Sequence, residues 1–301
     1  MSFIDKALER AKSSRKKEEV TVDKKADPTP QAHRPLPVLG NLGSVGTSQE
    51  ICYTVTKSLP VDFAYLKENH IVVTENYPLV AEEYKILRTQ ILQKTKKDHL
   101  NTIMFTGPRP DEGKSLTTVN VAISIAQEIN QTVLIVDTDL RNPSIHKYFG
   151  LSGKRGLVDF LKGGIPIPEL LIHPEGIGKL VILPGGKPAG DAAELIKSPQ
   201  MVELVHELKH CYQDRYVLFD LPPVLNFADA LAFAPLVDGI VLVIEAGRTT
   251  REDLAETLEL FKNFNVFGFV LNKVTREKAG DSYNDYYQAD KFKKPKKKFF
   301  G

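Results

Sequence analysis

The 301-residue sequence has no tryptophan, three methionines and only two cysteines, Cys52 and Cys211. Two thiols so far apart make no disulfide framework and match no zinc-ligand spacing, so a reduced intracellular pair is expected. No excess charge of one sign is present either. The 40 Lys and Arg stand against 38 Asp and Glu, and a net charge of +2 gives the whole chain no drive toward nucleic acid or an anionic membrane. The start, Met1-Ser2-Phe3-Ile4-Asp5-Lys6, lacks the basic stretch and apolar run of a secretory leader. Long apolar runs are missing too. The best one, 224–246, is broken by Asp229, Asp238, Glu245 and Pro235, which excludes a clean membrane span. The cytoplasm is the expected location, with any membrane contact made through a partner or a surface charge.

What is present suits a packed α/β protein. With 42% hydrophobic and 26% charged residues over a length of about two domains, a sizeable core can be buried. Charge is unevenly spread: the last eleven residues hold six lysines and no acid, and without them the +2 chain becomes a body of about −4. At the other end Ser2 can cap a helix, with Asp5 in capping-box spacing and Ile4, Ala7, Leu8 and Ala11 on one face, which predicts an amphipathic helix over 1–15. Residues 16–45, with Pro28, Pro30, Pro35 and Pro37 and no periodicity, read as a disordered linker. An N-terminal extension over 46–80 carries strand-like runs at Cys52–Thr56 and His70–Thr74.

From Ala81 to Thr275 apolar runs alternate with helical patterns, the rhythm of an α/β domain. The runs are 102–106, 132–137, 180–184, 216–220, 239–245 and 266–272, each apolar enough for a parallel strand covered on both faces. Helical patterns fall at 82–93, 115–129, 200–211 and 251–264. Residues 276–301 read as a tail.

After the first run comes Thr106-Gly107-Pro108-Arg109-Pro110-Asp111-Glu112-Gly113-Lys114-Ser115-Leu116, opening a helix. Gly-Lys-Ser at a strand-to-helix turn is the chemistry of a phosphate loop. Gly113 lets the backbone approach phosphate, the helix start offers unpaired N–H donors, Lys114 reaches the β- and γ-phosphates, and the Ser115 hydroxyl can ligate Mg²⁺. The full G-x-x-x-x-G-K-[ST] pattern is not met, because Pro108 stands at the first glycine position.

Two further strands end in acids. The run Val136-Asp137-Thr138-Asp139-Leu140-Arg141-Asn142-Pro143 sets two carboxylates and an arginine past a strand's carboxyl end, where open parallel sheets bind ligands. One acid can hold Mg²⁺ or its water, the other can orient a hydroxyl nucleophile, and Arg141 can neutralise developing phosphate charge. Asp220, closing Tyr216-Val217-Leu218-Phe219-Asp220, fits a Walker B acid in the Mg²⁺ shell. A lone strand-end Asp is as readily a turn former; three beside a Gly-Lys-Ser loop favour a nucleotide. Asn272-Lys273-Val274-Thr275 begins like a guanine-reading motif but lacks its acid, so ATP is preferred, with Asn272 near the base.

Gly113-Lys114-Ser115, Asp137-x-Asp139-x-Arg141-x-Pro143 and Phe219-Asp220-Leu221-Pro222-Pro223, in that order, resemble the bacterial tyrosine kinases, P-loop autokinases of capsule and exopolysaccharide biosynthesis. The resemblance covers roughly 80–290. It implies a P-loop NTPase-like, mostly parallel sheet with helices on both faces, flanked by a disordered linker and tail. It also implies that ATP is bound by Arg109, Pro110, Asp111, Glu112, Gly113, Lys114, Ser115, Leu116 and Asn272. Mg²⁺ would be held by Ser115, Asp137 and Asp220, and catalysis would fall to Lys114, Asp137, Asp139, Asp220 and Arg141.

Glu82, Lys85 and Arg88 are similar to the family's E-x-x-R-x-x-R helix, which joins subunits into a homo-oligomeric ring, with Lys85 in place of an arginine. Tyr283, Tyr286 and Tyr287 correspond to the family's terminal phosphoacceptor cluster, modified by the adjacent subunit. Relatives without membrane spans rely on a transmembrane polysaccharide chain-length regulator as activator, which implies recruitment to the inner face of the membrane. Asp111 stands where a glycine is common. Two other readings share the fold: a positioning ATPase of the septum or partition type, which usually carries a lysine where this chain has Arg109, and a nucleotide-binding scaffold without transfer activity.

Overall fold

The computed structural model describes residues 56–72, 78–210 and 215–274. The helix expected over 1–15, the linker of 16–45, both cysteines and the tyrosine-bearing tail lie outside them. In chain order the strands are β1 (Lys57–Leu59), β2 (Thr102–Thr106), β3 (Thr132–Asp137), β4 (Ile172–Pro174), β5 (Leu180–Leu183), β6 (Arg215–Asp220), β7 (Gly239–Glu245) and β8 (Val266–Asn272). All but β1 and β4 are the apolar runs of the sequence. The helices are α1 (Phe63–Glu68), α2 (Pro78–Lys96), α3 (Lys114–Ala126), α4 (Ile145–Tyr148), α5 (Leu157–Gly163), α6 (Ile167–Leu170), α7 (Ala192–Ile196), α8 (Pro199–His210), α9 (Asp229–Phe233) and α10 (Arg251–Leu260).

The strands form one sheet in the order β1-β4-β5-β3-β6-β2-β7-β8, parallel at every pairing except β4 with β5. From β2 the chain crosses through α3 toward β3; later, from β5 through β6 and β7 to β8, it moves the other way. Right-handed crossovers in opposite directions put helices on opposite faces. The reversal beside β2 opens a crevice at the carboxyl ends of the strands.

The core is thickest around α3, whose Val119, Val121, Ala122, Ile123 and Ile125 are fully buried. The helix is apolar nearly all round because the sheet lies on one side of it and α2 on the other. From α2, the Arg88 Nη1 donates to the Ser124 carbonyl of α3 at 3.0 Å, and Thr95 shares a 2.7 Å hydrogen bond with the Tyr216 hydroxyl of β6.

Two expectations are corrected. The strand anticipated at His70–Thr74 does not form over His70–Val72. There the Asn120 side chain of α3 accepts from Val72 N at 2.8 Å and donates to the His70 carbonyl at 3.2 Å, taking the backbone groups a neighbouring strand would use. The extension instead gives β1, which pairs with β4, and α1, capped by Asp62 whose carboxylate accepts from Ala64 N. The apolar pattern of β8 also does not mean two covered faces. Phe269 and Leu271 are 46% and 56% exposed on this last strand of the sheet, where the described residues leave one face open.

Candidate nucleotide site

The loop between β2 and α3 turns on two left-handed residues. Gly113 has φ 87°, and a Cβ there would stand 2.1 Å from Asn272 Nδ2. Asp111 has φ 63°, a conformation that glycine takes freely and Asp tolerates better than most residues. The turn therefore accommodates Asp111 without requiring glycine there.

Buried Glu112 organises the loop from inside. Its Oε2 accepts from Arg109 N at 2.8 Å and its Oε1 from the Thr249 hydroxyl at 2.6 Å. Its carbonyl accepts from Asn272 Nδ2 at 2.9 Å. Lys273 Nζ reaches the Asp111 carbonyl at 2.5 Å. Arg109 does not point into the crevice. Its guanidinium pairs with Asp253 of α10 at 2.6 Å, an acid that also completes the capping box of that helix with Thr250. Pro110 is exposed and Leu116 half-buried.

Lys114 opens α3, is 7% exposed, and donates to the Arg109 carbonyl at 2.8 Å. Burial lowers its pKa, against the pull of Asp220, Glu112, Asp139 and Asp111. The Ser115 hydroxyl lies 3.2 Å from that of Ser144. Across the crevice Asp137 and Asp220 end β3 and β6 as register partners, both fully buried. Asp137 Oδ2 accepts from Ser144 N at 2.8 Å and Ile145 N at 2.9 Å. Asp137 Oδ1 and both carboxylate oxygens of Asp220 have no partner.

Burial pushes Asp137 up to about 7, with the Ile145 and Ser144 N–H groups pulling it down and the Asp139 charge adding to the rise. Burial also raises Asp220 well above its ordinary range, with the charges of Asp137 and Asp139 adding to the rise and Ser115 and Lys114 offsetting it only in part. Asp139 accepts from Asn142 N at 3.0 Å, and burial raises it as well. Among the described residues no group of three or more His, Cys, Asp and Glu forms a metal cage. Two carboxylates and a hydroxyl are instead the sparse oxygen set that suits Mg²⁺, which keeps waters and phosphate oxygens in its shell.

The structure thus brings Lys114, Ser115, Asp137, Asp139 and Asp220 to one crevice. Arg141 lies beside it but is held by Asp229, with Nε–Oδ2 at 2.6 Å and Nη2–Oδ1 at 3.1 Å, while its guanidinium stacks 4.6 Å from the Phe227 ring centre. On α2, Lys85 pairs with Glu82 at 2.6 Å, and Arg88 turns to Glu128 at 2.8 Å. Residues not singled out from the sequence are Asp229, Thr249, Asp253 and Ser144. Only Asp253 had a local signal, the Thr-x-x-Asp capping spacing at 250–253.

Residues 103–301 match the CobQ/CobB/MinD/ParA nucleotide binding domain. The tyrosine-protein kinase YwqD of Bacillus subtilis (strain 168) is 33% identical over 229 residues, 75% of this chain and 94% of that protein. The chain belongs to the bacterial tyrosine kinase family. Another relative, the succinoglycan biosynthesis transport protein ExoP of Rhizobium meliloti (strain 1021), is 32% identical over 230 residues; this chain spans 29% of its length. The kinase domain of the Escherichia coli tyrosine kinase ETK superposes with a TM-score of 0.63 at 25% identity, covering 73% of this chain and 90% of that one. This chain therefore shares its fold with the ETK kinase domain. Among the described residues no helix is long and apolar enough to cross a membrane.

Proposed function

We propose that this chain is an ATP-dependent protein-tyrosine autokinase that transfers the γ-phosphoryl group of ATP to Tyr283, Tyr286 and Tyr287 of an adjacent subunit, in the service of capsule or exopolysaccharide synthesis and export. The observation that carries the reading is the set of buried, partnerless oxygens of Asp137 and Asp220 beside the Lys114-Ser115 turn. Such oxygens are costly unless a ligand meets them, and ones this close to a phosphate loop fit Mg²⁺. Ser115, Asp137 and Asp220 would hold it, and when bound it supplies charge neutralisation at the phosphates.

The chain's own residues do the rest. The first N–H groups of α3 and the ammonium of Lys114, released from the Arg109 carbonyl, bind phosphate oxygens. Asp139 orients the incoming tyrosine hydroxyl and takes its proton; its upward-shifted pKa is in the direction a base working near neutrality requires. Arg141 adds charge when it leaves Asp229. Asn272, whose Nδ2 holds the Glu112 carbonyl, would meet the base from the mouth of the loop. Residues 81–275 would be the catalytic unit, 1–15 and 46–80 its docking and extension segments, 16–45 a linker, and 276–301 the acceptor tail.

We further propose a ring joined through Glu82, Lys85 and Arg88 and a transmembrane polysaccharide chain-length regulator as activator. The separate activator agrees with this chain matching only part of ExoP. Recruitment to the inner membrane face would follow from that partner or from the basic tail. The test is ³²P labelling of the purified protein with the regulator's cytoplasmic segment present. Label is expected on the parent chain and lost in Lys114→Ala and in the Tyr283→Phe/Tyr286→Phe/Tyr287→Phe variant. Free phosphate with no protein label would turn the reading to a positioning ATPase, and neither product to a scaffold.

A further inference from the structure

Behind the loop that carries Asp137, Asp139 and Arg141 lies a cavity of about 250 Å³. Asn142, Pro143, His146, Lys147, Lys154 and Lys187 are among the residues that line it. None of the three lysines enters an ion pair among the described residues. The Nδ1 of His146 is buried without a hydrogen-bond partner. Three lysines without ion-pair partners around a concave space, beside a histidine nitrogen without a hydrogen bond, are the chemistry of an oxyanion site; the acid near by, Asp159, faces Gly186, where a Cβ would meet its Oδ2 at 3.1 Å, and is engaged by the Gly156 N–H at 2.8 Å. The cavity adjoins the crevice: a Cβ at Gly185 would meet Pro143 Cβ at 2.8 Å and the Asp137 carbonyl oxygen at 3.2 Å.

The sequence supplies a matching anion. From Ala279 to Asp290 the chain reads Ala-Gly-Asp-Ser-Tyr-Asn-Asp-Tyr-Tyr-Gln-Ala-Asp, three aspartates and the three tail tyrosines without a lysine or arginine. We propose that this lysine-lined cavity binds the acidic segment 281–290 of a second copy of the chain, through its carboxylates and, after transfer, its phosphates. The inference rests on the tail being the acceptor, and it assigns Lys147, Lys154 and Lys187 as the residues that select it. A second copy is the donor because the proposed transfer runs to the tail of an adjacent subunit.

The experiment measures fluorescence anisotropy of a labelled peptide of residues 279–290 titrated with the full chain, without ATP. The unmodified chain should bind it, and Lys154→Glu/Lys187→Glu should weaken binding about tenfold or more, as reversing two charges at a polar site does. A peptide carrying Asp281→Lys, Asp285→Lys and Asp290→Lys should recover affinity for the reversed protein, which also shows that variant to be folded. A second measurement follows ³²P transfer from the full chain to a Lys114→Ala acceptor chain. Lys154→Glu/Lys187→Glu in the donor should raise the acceptor concentration needed for half-maximal rate and leave the maximal rate unchanged. No binding to the unmodified chain, equal affinity in the reversed variant, or no recovery with the swapped peptide would overturn the cavity's role. Peptide binding that depends on these lysines with no label under any condition would sink the kinase reading and leave the cavity standing.

Discussion

Asp137 and Asp220 sit side by side in register at the carboxyl ends of β3 and β6, and the N–H of Thr138 donates to the Asp220 carbonyl at 3.0 Å. Paired residues on parallel strands point to the same face, so two carboxyls are forced together in a dry place. Nothing in the fold needs both charges. The arrangement costs stability, and a bound cation would relieve it.

Replacing Asp220 with Asn should therefore stabilise the nucleotide-free protein at pH 8, by about 1–2 kcal/mol or a few degrees in Tm. The same change should abolish the extra Tm that Mg²⁺ and ADP give the parent chain. Thermal unfolding with and without Mg·ADP reads both effects, and a variant less stable than the parent without ligand would count against a strained pair.

Acidity should act in a definite direction. A carboxyl whose pKa is raised on folding, as Asp137 is to about 7, favours the folded state while protonated. That contribution is complete below the unfolded value of about 4 and is lost as pH rises through about 7. Urea unfolding of the ligand-free chain should show falling stability across this window, while Mg²⁺ binding, which needs the ionised acid, should tighten over the same range.

Gly113→Ala should cost about 1–2 kcal/mol from the left-handed backbone alone, plus displacement of Asn272. Combining it with Asn272→Ala should recover the steric part and leave the backbone part. Urea titrations of the single and double variants separate the two, and full additivity would mean that the close approach of Gly113 and Asn272 is not felt.

Arg141→Ala leaves Asp229 buried without its partner and should destabilise by about 1–3 kcal/mol, less than a fully buried pair because the Arg141 side chain is 31% exposed. Arg141→Ala/Asp229→Ala should regain part of that stability. If Arg141 also meets phosphate in the transition state, the double variant should remain slow in label transfer despite restored folding, and a recovered rate would reduce the arginine to a structural tie.

The six main strands, the long helices and the phosphate loop were legible because each is a local pattern: an apolar run, a helical period, Gly-Lys-Ser at a turn. The strand at His70–Thr74 misled for a physical reason, since a short apolar run is satisfied as well by the side chain of Asn120, which lies far along the sequence. Short elements such as α4 and β4 were not legible, having too few residues to show a period. Lys114, Ser115, Asp137, Asp139 and Asp220, which the structure brings to one crevice, are the candidates that motif spacing singles out. Asp229 and Thr249 are not among them, because their significance is a contact made across the fold.

By itself the sequence determined which chemistry is available and at which strand ends it stands, because turn chemistry, apolar periodicity and motif spacing are written within a few residues of one another. Only the tertiary structure decided where those groups turn. It tied Arg109 to Asp253, Arg141 to Asp229 and Lys114 to a loop carbonyl, and it left the Asp220 oxygens bare. Such choices depend on distances between elements far apart in the chain, set by how sheet and helices pack, and no local pattern carries them.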